Sequence, residues 1–176
     1  SEVILKTFSD PNVFENCVPI IYGSTTILYA HHKLLTIPPL ELNSIKEERE
    51  AQDGSLNVLE LDNDGLDLNI GEDTLDGGRF ALQSLEATVN SLNKGTIEAL
   101  LTSPLNKHNI NLPGFNGHTG YLANRFGANS LMIMSAEGLK VALVTGHVPI
   151  SKVASFISKE LILNKLHVFN TSLIED

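Results

Sequence analysis

The 176-residue sequence contains little cysteine and no apolar segment long enough to cross a membrane. A single cysteine, Cys17, excludes an internal disulfide, which fits a reducing compartment. It lies in the apolar stretch Cys17-Val18-Pro19-Ile20-Ile21, so we expect a buried, inert thiol rather than a reactive one. The apolar runs stay below the ~18 residues of a membrane span, and residues 1–6 lack the basic region and apolar core of a signal peptide. We therefore expect a soluble, cytoplasmic protein with no membrane partner.

Basic residues are also scarce, since 12 Lys and Arg stand against 21 Asp and Glu and the net charge is −9. Affinity for nucleic-acid phosphates comes mainly from Lys and Arg, so no nucleic-acid partner is expected. The sequence further lacks a Gly-x-Gly-x-x-Gly after a strand, a phosphate-binding P-loop and a Cys-x-x-Cys pair. Its motifs therefore do not support a nucleotide site of the Rossmann type.

The sequence does contain enough apolar material for a folded core, with 42% hydrophobic and 19% charged residues. Its length suits one ordinary domain or a large domain with an appendage. The first residues, Val3 to Phe8, are already helix-like, and the last ones closely follow an apolar helical pattern. Because domains usually end in loosely ordered residues, these abrupt ends lead us to expect a piece of a longer protein.

The periodicity of the apolar residues predicts alternating strands and helices. Strands are expected over 18–22, 57–61 and 97–101, helices over 25–35 and 79–93, and a hairpin joining 131–134 to 139–144 through Ala136-Glu137-Gly138. A last helix is expected to begin at Pro149, with a buried face formed by Val153, Phe156, Ile157 and Leu161. This order predicts an α/β fold with a mixed sheet flanked by helices.

Two polar clusters have ordinary structural interpretations. His31 and His32 fall near the end of a predicted helix, where cationic side chains suit the helix dipole. Adjacent helical residues also point too far apart to chelate one ion easily. The acidic segment from Asp62 to Asp76 departs from the calcium-loop pattern after its second ligand position, so we predict a solvated loop there.

The segment Gly117-His118-Thr119 stands where a loop enters a predicted helix. Asn116 or Thr119 would cap that helix, and its free backbone N–H groups would lie beside the imidazole and the hydroxyl. A helix N-terminus of this kind can bind an anion, phosphate in particular. The alternative interpretation is a plain helix cap with a hydrogen-bonded histidine.

A second histidine, in Gly146-His147-Val148-Pro149, follows a strongly apolar strand. In α/β sheets ligands gather beyond the carboxyl ends of strands, and imidazole can bind a metal or an anion. One histidine is not a metal site, since zinc-type ions need about three protein ligands, so a hydrogen-bonded loop histidine stays an alternative. Lys107, in Thr102-Ser103-Pro104-Leu105-Asn106-Lys107, fits an anion contact and a surface charge equally well.

Taken together, these pieces resemble one family. The segment TSPLNKHNINLPGFNGHTGYLA, followed by a hairpin and then VALVTGHVPI, is similar to the 4-hydroxythreonine-4-phosphate dehydrogenases, the PdxA family of pyridoxal phosphate (vitamin B6) biosynthesis. The order, the spacing and the strand pattern between the segments all match. The likeness extends more faintly upstream through VILKTF and VPIIYGS, so it covers nearly the whole chain.

The resemblance implies an isopropylmalate-dehydrogenase-like fold, with residues 1–98 in a first α/β domain and residues 99–176 in a second, dimer-forming domain. It implies oxidation and decarboxylation of 4-phosphohydroxy-L-threonine with NAD or NADP, assisted by a divalent metal (zinc, magnesium or cobalt), in a homodimer. His118 and Thr119 match the substrate-binding pair of the family, and His147 matches a metal ligand. The catalytic and cofactor-binding residues are not identified, and the other metal ligands would lie beyond residue 176.

The sequence departs from the family at two glycines. Gly120 stands where an acidic residue is common, and Gly146 where a hydroxyl residue is frequent. The loss of a side chain at Gly120 enlarges or neutralises the pocket, which keeps open a related dehydrogenase that acts on another phosphorylated hydroxy acid. A further alternative is a non-catalytic α/β module that binds a phosphorylated metabolite at the His118 helix end.

Overall fold

The computed structural model of the chain describes residues 1–66 and 68–175. The chain divides into two compact units, Ser1–Leu122 and Ala123–Asp176. The first unit contains helices and a parallel sheet, and the second contains a hairpin and helices. The two-domain arrangement expected from the resemblance, with its boundary between residues 98 and 99, stays a prediction.

The first unit is built on three short parallel strands in the order β1-β3-β2. Their bounds are β1 Ile20–Gly23, β2 Leu42–Ile45 and β3 Leu56–Glu60. Both β1 and β2 pair with β3 in parallel, with Ile20 of β1 opposite Asn57 of β3. The carboxyl ends of all three strands therefore meet at one edge of the sheet. This edge is where α/β sheets usually bind ligands.

Two short helices and one long helix accompany this sheet: α1 Glu2–Thr7, α2 Thr25–His32 and α3 Leu75–Lys94. The core is formed by the buried side chains of Leu5 on α1, Leu28 on α2 and Val58 on β3. His31 and His32 lie in the last turn of α2, as the sequence predicts, and the His32 ring is hydrogen bonded at 2.9 Å to the Pro38 carbonyl.

Helix α3 begins one turn earlier than its apolar spacing indicates. Thr74 caps it, because the Thr74 hydroxyl accepts the Gly77 N–H at 3.1 Å. Leu85 and Val89 form the buried face, and Gly95 ends the helix with a φ of 71°. This left-handed conformation suits glycine and is the predicted stop signal.

Two predictions for the first unit are wrong. Residues 97–101 form no strand, and Leu101 is 95% exposed, because the segment has no hydrogen-bonded neighbour within the part of the chain that the structure describes. Cys17 is exposed rather than buried. It lies in the connection between a 3-10 turn (Pro11–Glu15) and β1, and such connections run over the surface.

The acidic loop after β3 is solvent-exposed along most of its length, as predicted. Asp67, one of its carboxylates, lies outside the described residues. Asp62 accepts the Asp64 N–H at 3.0 Å in a local turn, which is ordinary loop structure.

The second unit contains a hairpin and two helices, and α4 (His118–Phe126) leads into it from the first unit. Strands β4 (Met132–Ala136) and β5 (Leu139–Leu143) pair antiparallel, with Gly138 at a φ of 74° in the turn, as predicted. The α/β class is confirmed. Parallel and antiparallel pairs both occur, but in two separate sheets rather than within one.

The predicted last helix is in fact two helices, α5 (Ile150–Phe156) and α6 (Lys159–Glu175). The break occurs because Ser158 starts a new helix, its hydroxyl accepting the Leu161 N–H at 3.1 Å. Phe156 is 53% exposed and Ile157 46% exposed, so these two residues do not form the predicted buried face. Among the described residues, no helix combines the length and the apolar character that crossing a membrane requires.

Candidate functional site

The start of α4 is the first of the two sites that the sequence indicates. The Gly117 carbonyl accepts the Tyr121 N–H at 3.2 Å, so Gly117 is the residue from which the helix begins. Gly117 is buried, His118 is half-buried and Thr119 is exposed. The first N–H groups of a helix have no acceptor inside it, and here they lie beside an imidazole and a hydroxyl. The arrangement therefore offers several donors to an anionic group.

Asn116 lies against the first turn of this helix. A Cβ added at Gly120 would overlap the Asn116 amide oxygen and lie 3.2 Å from the Asn116 Cγ. The space that a side chain at position 120 would enter is therefore filled by a neutral amide. The expectation that Gly120 enlarges the pocket is therefore wrong, because the Asn116 side chain fills the volume that a side chain at position 120 would take.

Lys107 also reaches the start of α4. A Cβ added at Gly117 would lie 3.0 Å from the Lys107 Cε and 3.2 Å from its Nζ, so the ammonium lies directly beside the buried glycine. Burial lowers the pKa of His118 from its ordinary value of 6.5, and the nearby Lys107 charge lowers it further. His118 is therefore a neutral imidazole near pH 7, and the resident positive charge is that of Lys107.

The turn that carries Lys107 is fixed to the start of α3. The Asn106 side-chain amide donates to the Asp73 carboxylate at 2.6 Å, and the oxygen of the same amide accepts the His108 N–H at 3.0 Å. A Cβ added at Gly78 would overlap the Asn109 carbonyl oxygen and lie 2.8 Å from the Asn109 Cβ, so the two backbones are in contact. Sequence reasoning left the role of Lys107 open, because no local signal shows which loop would meet the start of α4.

His147 occupies the tip of a tight turn in the second unit. The Val148 N–H donates to the Gly146 carbonyl at 2.9 Å, which closes a three-residue turn around His147. The imidazole is exposed, and a Cβ at Gly146 would meet nothing within 4 Å. Pro149 then precedes α5, so the turn joins β5 to that helix. That the His118 and His147 rings share one cavity stays a prediction.

The described residues do not by themselves fit a divalent metal. Among them, no group of three His, Cys, Asp or Glu side chains comes together as ligands. His147 offers one imidazole, whereas a zinc-type site takes about three protein ligands.

The carboxyl edge of the parallel sheet carries polar groups that the sequence reasoning did not single out. The Glu60 carboxylate, at the end of β3, accepts the Thr25 N–H at 3.2 Å and the Ser44 hydroxyl at 3.1 Å. Next to it, the Asn63 amide donates to the buried Ser24 hydroxyl at 2.9 Å. A polar residue ending a buried strand, followed by Asp62-Asn63-Asp64, is the signal that would have indicated this edge.

Each unit contains a concavity. One, of about 120 Å³, adjoins the carboxyl edge and is lined by Asp62, Asn63, Asp64, Leu66, Arg79, Phe80 and Gln83. The other, of about 170 Å³, lies within the second unit between the hairpin and α6 and has mainly apolar walls. Neither includes His118, Thr119 or His147 among its lining residues. The first is lined by charged groups of both signs, whereas Lys165 is the one charged residue among the described residues lining the second.

Comparison with known proteins gives a consistent result. A 4-hydroxythreonine-4-phosphate dehydrogenase of Bacteroides thetaiotaomicron is 38% identical over 99% of this chain and 49% of its own length. A Clostridium botulinum relative, provisionally named D-threonate 4-phosphate dehydrogenase, is 27% identical over 93% of this chain and 50% of its own. The chain thus spans about half the length of these relatives.

The fold has a close counterpart among solved structures. The crystal structure of a 4-hydroxythreonine-4-phosphate dehydrogenase from Burkholderia phymatum superposes with a TM-score of 0.87 and 26% identity. The superposition covers 98% of this chain and 54% of the solved chain, and it confirms the predicted architecture. The family described as pyridoxal phosphate biosynthetic protein PdxA matches residues 15–176. Because that match takes in nearly the whole sequence, the chain belongs to the PdxA family.

Proposed function

We propose that the protein containing this chain is an NAD(P)-dependent 4-hydroxythreonine-4-phosphate dehydrogenase. In this proposal it oxidises and decarboxylates 4-phosphohydroxy-L-threonine in pyridoxal phosphate biosynthesis, in the cytoplasm. The observation that carries the proposal is the start of α4, where the Lys107 ammonium lies beside Gly117 and its charge acts on the His118 imidazole, next in sequence to the Thr119 hydroxyl. These groups suit an anionic metabolite.

His118 and Thr119 have distinct roles in this proposal. A neutral imidazole can donate one hydrogen bond and accept another, so His118 can orient a substrate hydroxyl or phosphate oxygen without adding charge. The exposed Thr119 hydroxyl and the first N–H groups of α4 complete a set of donors. The dinucleotide and the metal rest on the resemblance, and the residues of this chain hold neither a dinucleotide fingerprint nor, where described, a three-ligand cluster.

The activity is testable in the full-length protein by following NAD(P)H formation with 4-phosphohydroxy-L-threonine. We expect turnover in the native protein, and we expect His118→Ala to lower kcat/KM by roughly 10- to 100-fold, since a hydrogen bond to a charged group is worth about 1.5–3 kcal/mol. His108→Ala, in the same turn as Lys107, is the matched control and should keep native activity. Binding of substrate without any turnover would instead favour a non-catalytic binding module.

His147 is proposed as one ligand of the divalent metal, with the remaining ligands supplied from beyond this chain. Its exposed imidazole at the tip of a closed turn is free to meet an ion. We expect His147→Ala to weaken binding of zinc, cobalt or magnesium by at least about tenfold, measured by titration calorimetry on the full-length protein. His167→Ala, an exposed histidine of α6, is the control. Unchanged metal affinity in His147→Ala would remove His147 from the site.

A second candidate function is a dehydrogenase for another phosphorylated hydroxy acid. The neutral Asn116 amide over Gly120 and the similarity to the relative named for D-threonate 4-phosphate both favour it. The ratio of kcat/KM for D-threonate 4-phosphate to that for 4-phosphohydroxy-L-threonine decides between the two activities. A ratio well above one would replace the first proposal by the second.

We also propose that the protein is a homodimer. The hairpin of the second unit supports this, because one of its faces is apolar and solvent-exposed. Cross-strand pairing places Met134 opposite Val141 and Ala136 opposite Leu139 on that face, and Met134 and Leu139 are 62% and 61% exposed. A second copy of the chain would remove this apolar surface from water.

A further inference from the structure

We propose that Lys107 is a further substrate-positioning residue, whose ammonium supplies the positive charge that holds the anionic group of the substrate at the start of α4. The inference rests on the proposed function and extends it by one residue. Within this chain, His118 and Thr119 supply hydrogen bonds to the site but no positive charge for a phosphorylated ligand.

The Lys107 side chain lies close to the start of α4. Its Cε and Nζ lie 3.0 Å and 3.2 Å from where a Gly117 side chain would begin, so any residue larger than glycine would meet the lysine. The φ of Gly117, 119°, also disfavours other residues. The glycine therefore makes room for the ammonium next to the first free N–H groups of the helix.

The lysine is presented by a turn with restricted freedom. The contact of Gly78 with Asn109 and the hydrogen bond from Asn106 to Asp73 hold both sides of the Lys107–Asn109 turn against α3. Ile110, the next residue, is buried. Only the flexible part of the Lys107 side chain then needs ordering when a ligand binds, which reduces the entropic cost of binding.

Lys107 and His118 differ in charge. His118 is uncharged near pH 7 because burial, and next the Lys107 charge, lower its pKa. Lys107, in the turn over residues 107–109, is the charged group that acts on the His118 imidazole. The basic residue Arg125 lies in the last turn of α4, the helix that begins with His118. Among the described residues no carboxylate pairs with the Lys107 ammonium, so its charge is available to a ligand.

The experiment compares Lys107→Met with Lys107→Arg in the full-length protein. Methionine keeps an unbranched apolar chain without charge, and arginine keeps the charge. The His118 ring is followed by NMR through a pH titration and then through a titration with inorganic phosphate. In Lys107→Met we expect the midpoint of His118 to move to higher pH, and phosphate binding to weaken about tenfold or more, as for loss of a charge-assisted hydrogen bond. Lys107→Arg should retain both native values.

Steady-state kinetics adds a readout that a merely structural role would not produce. Lys107→Met should raise KM for the phosphorylated substrate by about tenfold or more while kcat changes little, and Lys107→Arg should restore KM. A His118 midpoint that does not move in Lys107→Met, or phosphate binding that stays native, would each overturn the inference. Absence of dehydrogenase turnover in the native protein would refute the proposed function alone, because both titrations still test Lys107.

Discussion

Two glycines determine how closely loops approach helices in the first unit. At Gly78 the carbonyl of Asn109 occupies the volume of a missing side chain, and at Gly117 the Lys107 side chain does so. The two positions differ in what could yield to a larger residue. A backbone carbonyl held by packing cannot move freely, whereas the end of a lysine can rotate away at little cost.

Gly78→Ala is therefore expected to destabilise the protein. Overpacking against the Asn109 backbone should cost about 1–3 kcal/mol of unfolding free energy, measured by urea denaturation. Gly77→Ala is the matched control, since it lies one residue earlier in α3 and its Cβ would meet only the Thr74 hydroxyl, at 3.0 Å. Equal unfolding free energies for the two variants would show that the Asn109 backbone does not pack tightly against Gly78.

At the scale of elements, one carboxylate links a strand, a turn and the long helix. Glu48 begins the 3-10 turn that follows β2 and accepts hydrogen bonds from the Tyr22 hydroxyl at 3.0 Å and from the Ser91 hydroxyl. Burial raises the pKa of Tyr22 to about 12, so the phenol stays a donor over the physiological range. The Ser91 hydrogen bond is the main cause that lowers the pKa of Glu48 below 4.5.

This lowered pKa gives a pH dependence of stability. A carboxylate with a lower pKa in the folded state stabilises the protein above its unfolded-state pKa, and this contribution is lost as pH falls through the folded-state value. We therefore expect Glu48→Gln to lower the urea midpoint at pH 7 and to flatten its decline below about pH 4.5. Glu86→Gln, at an exposed position on α3, should keep the native profile. A native acid profile in Glu48→Gln would contradict this link.

At the scale of the whole molecule, the second unit leaves much apolar surface in contact with water. The hairpin face around Met134 and Leu139 is exposed, and so are Leu163 and Leu166 on α6. Exposed apolar patches of this kind are typical of surfaces that bind other protein. The chain also spans about half the length of the relatives it matches.

The proposed homodimer predicts that the hairpin face is sensitive to charge. In the full-length protein, Met134→Lys should raise the dimer dissociation constant at least about tenfold in sedimentation velocity, because a lysine there would be buried without a partner. Ser135→Lys is the matched control, because neighbouring strand residues face opposite sides of the hairpin. A dimer that tolerates Met134→Lys would place the interface elsewhere.

Several elements follow from signals within a few residues. Gly95 ends α3 and Gly138 turns the hairpin because both need positive φ, and each is read from its immediate neighbours. The failures have a common physical cause. Leu101 and Phe156 belong to apolar runs that fit a buried strand or helix face, but burial depends on a partner surface that periodicity does not supply.

The sequence by itself determined the family, through the order and spacing of several segments, and it determined the helix near His118 and the loop at His147 through short, contiguous motifs. Only the tertiary structure placed the Lys107 ammonium beside Gly117 and the Asn116 amide over Gly120. The position of Lys107 depends on the contact between Gly78 and Asn109, which are distant in the sequence. Such a contact is fixed by the packing of a loop on a helix, and no local preference of either segment encodes it.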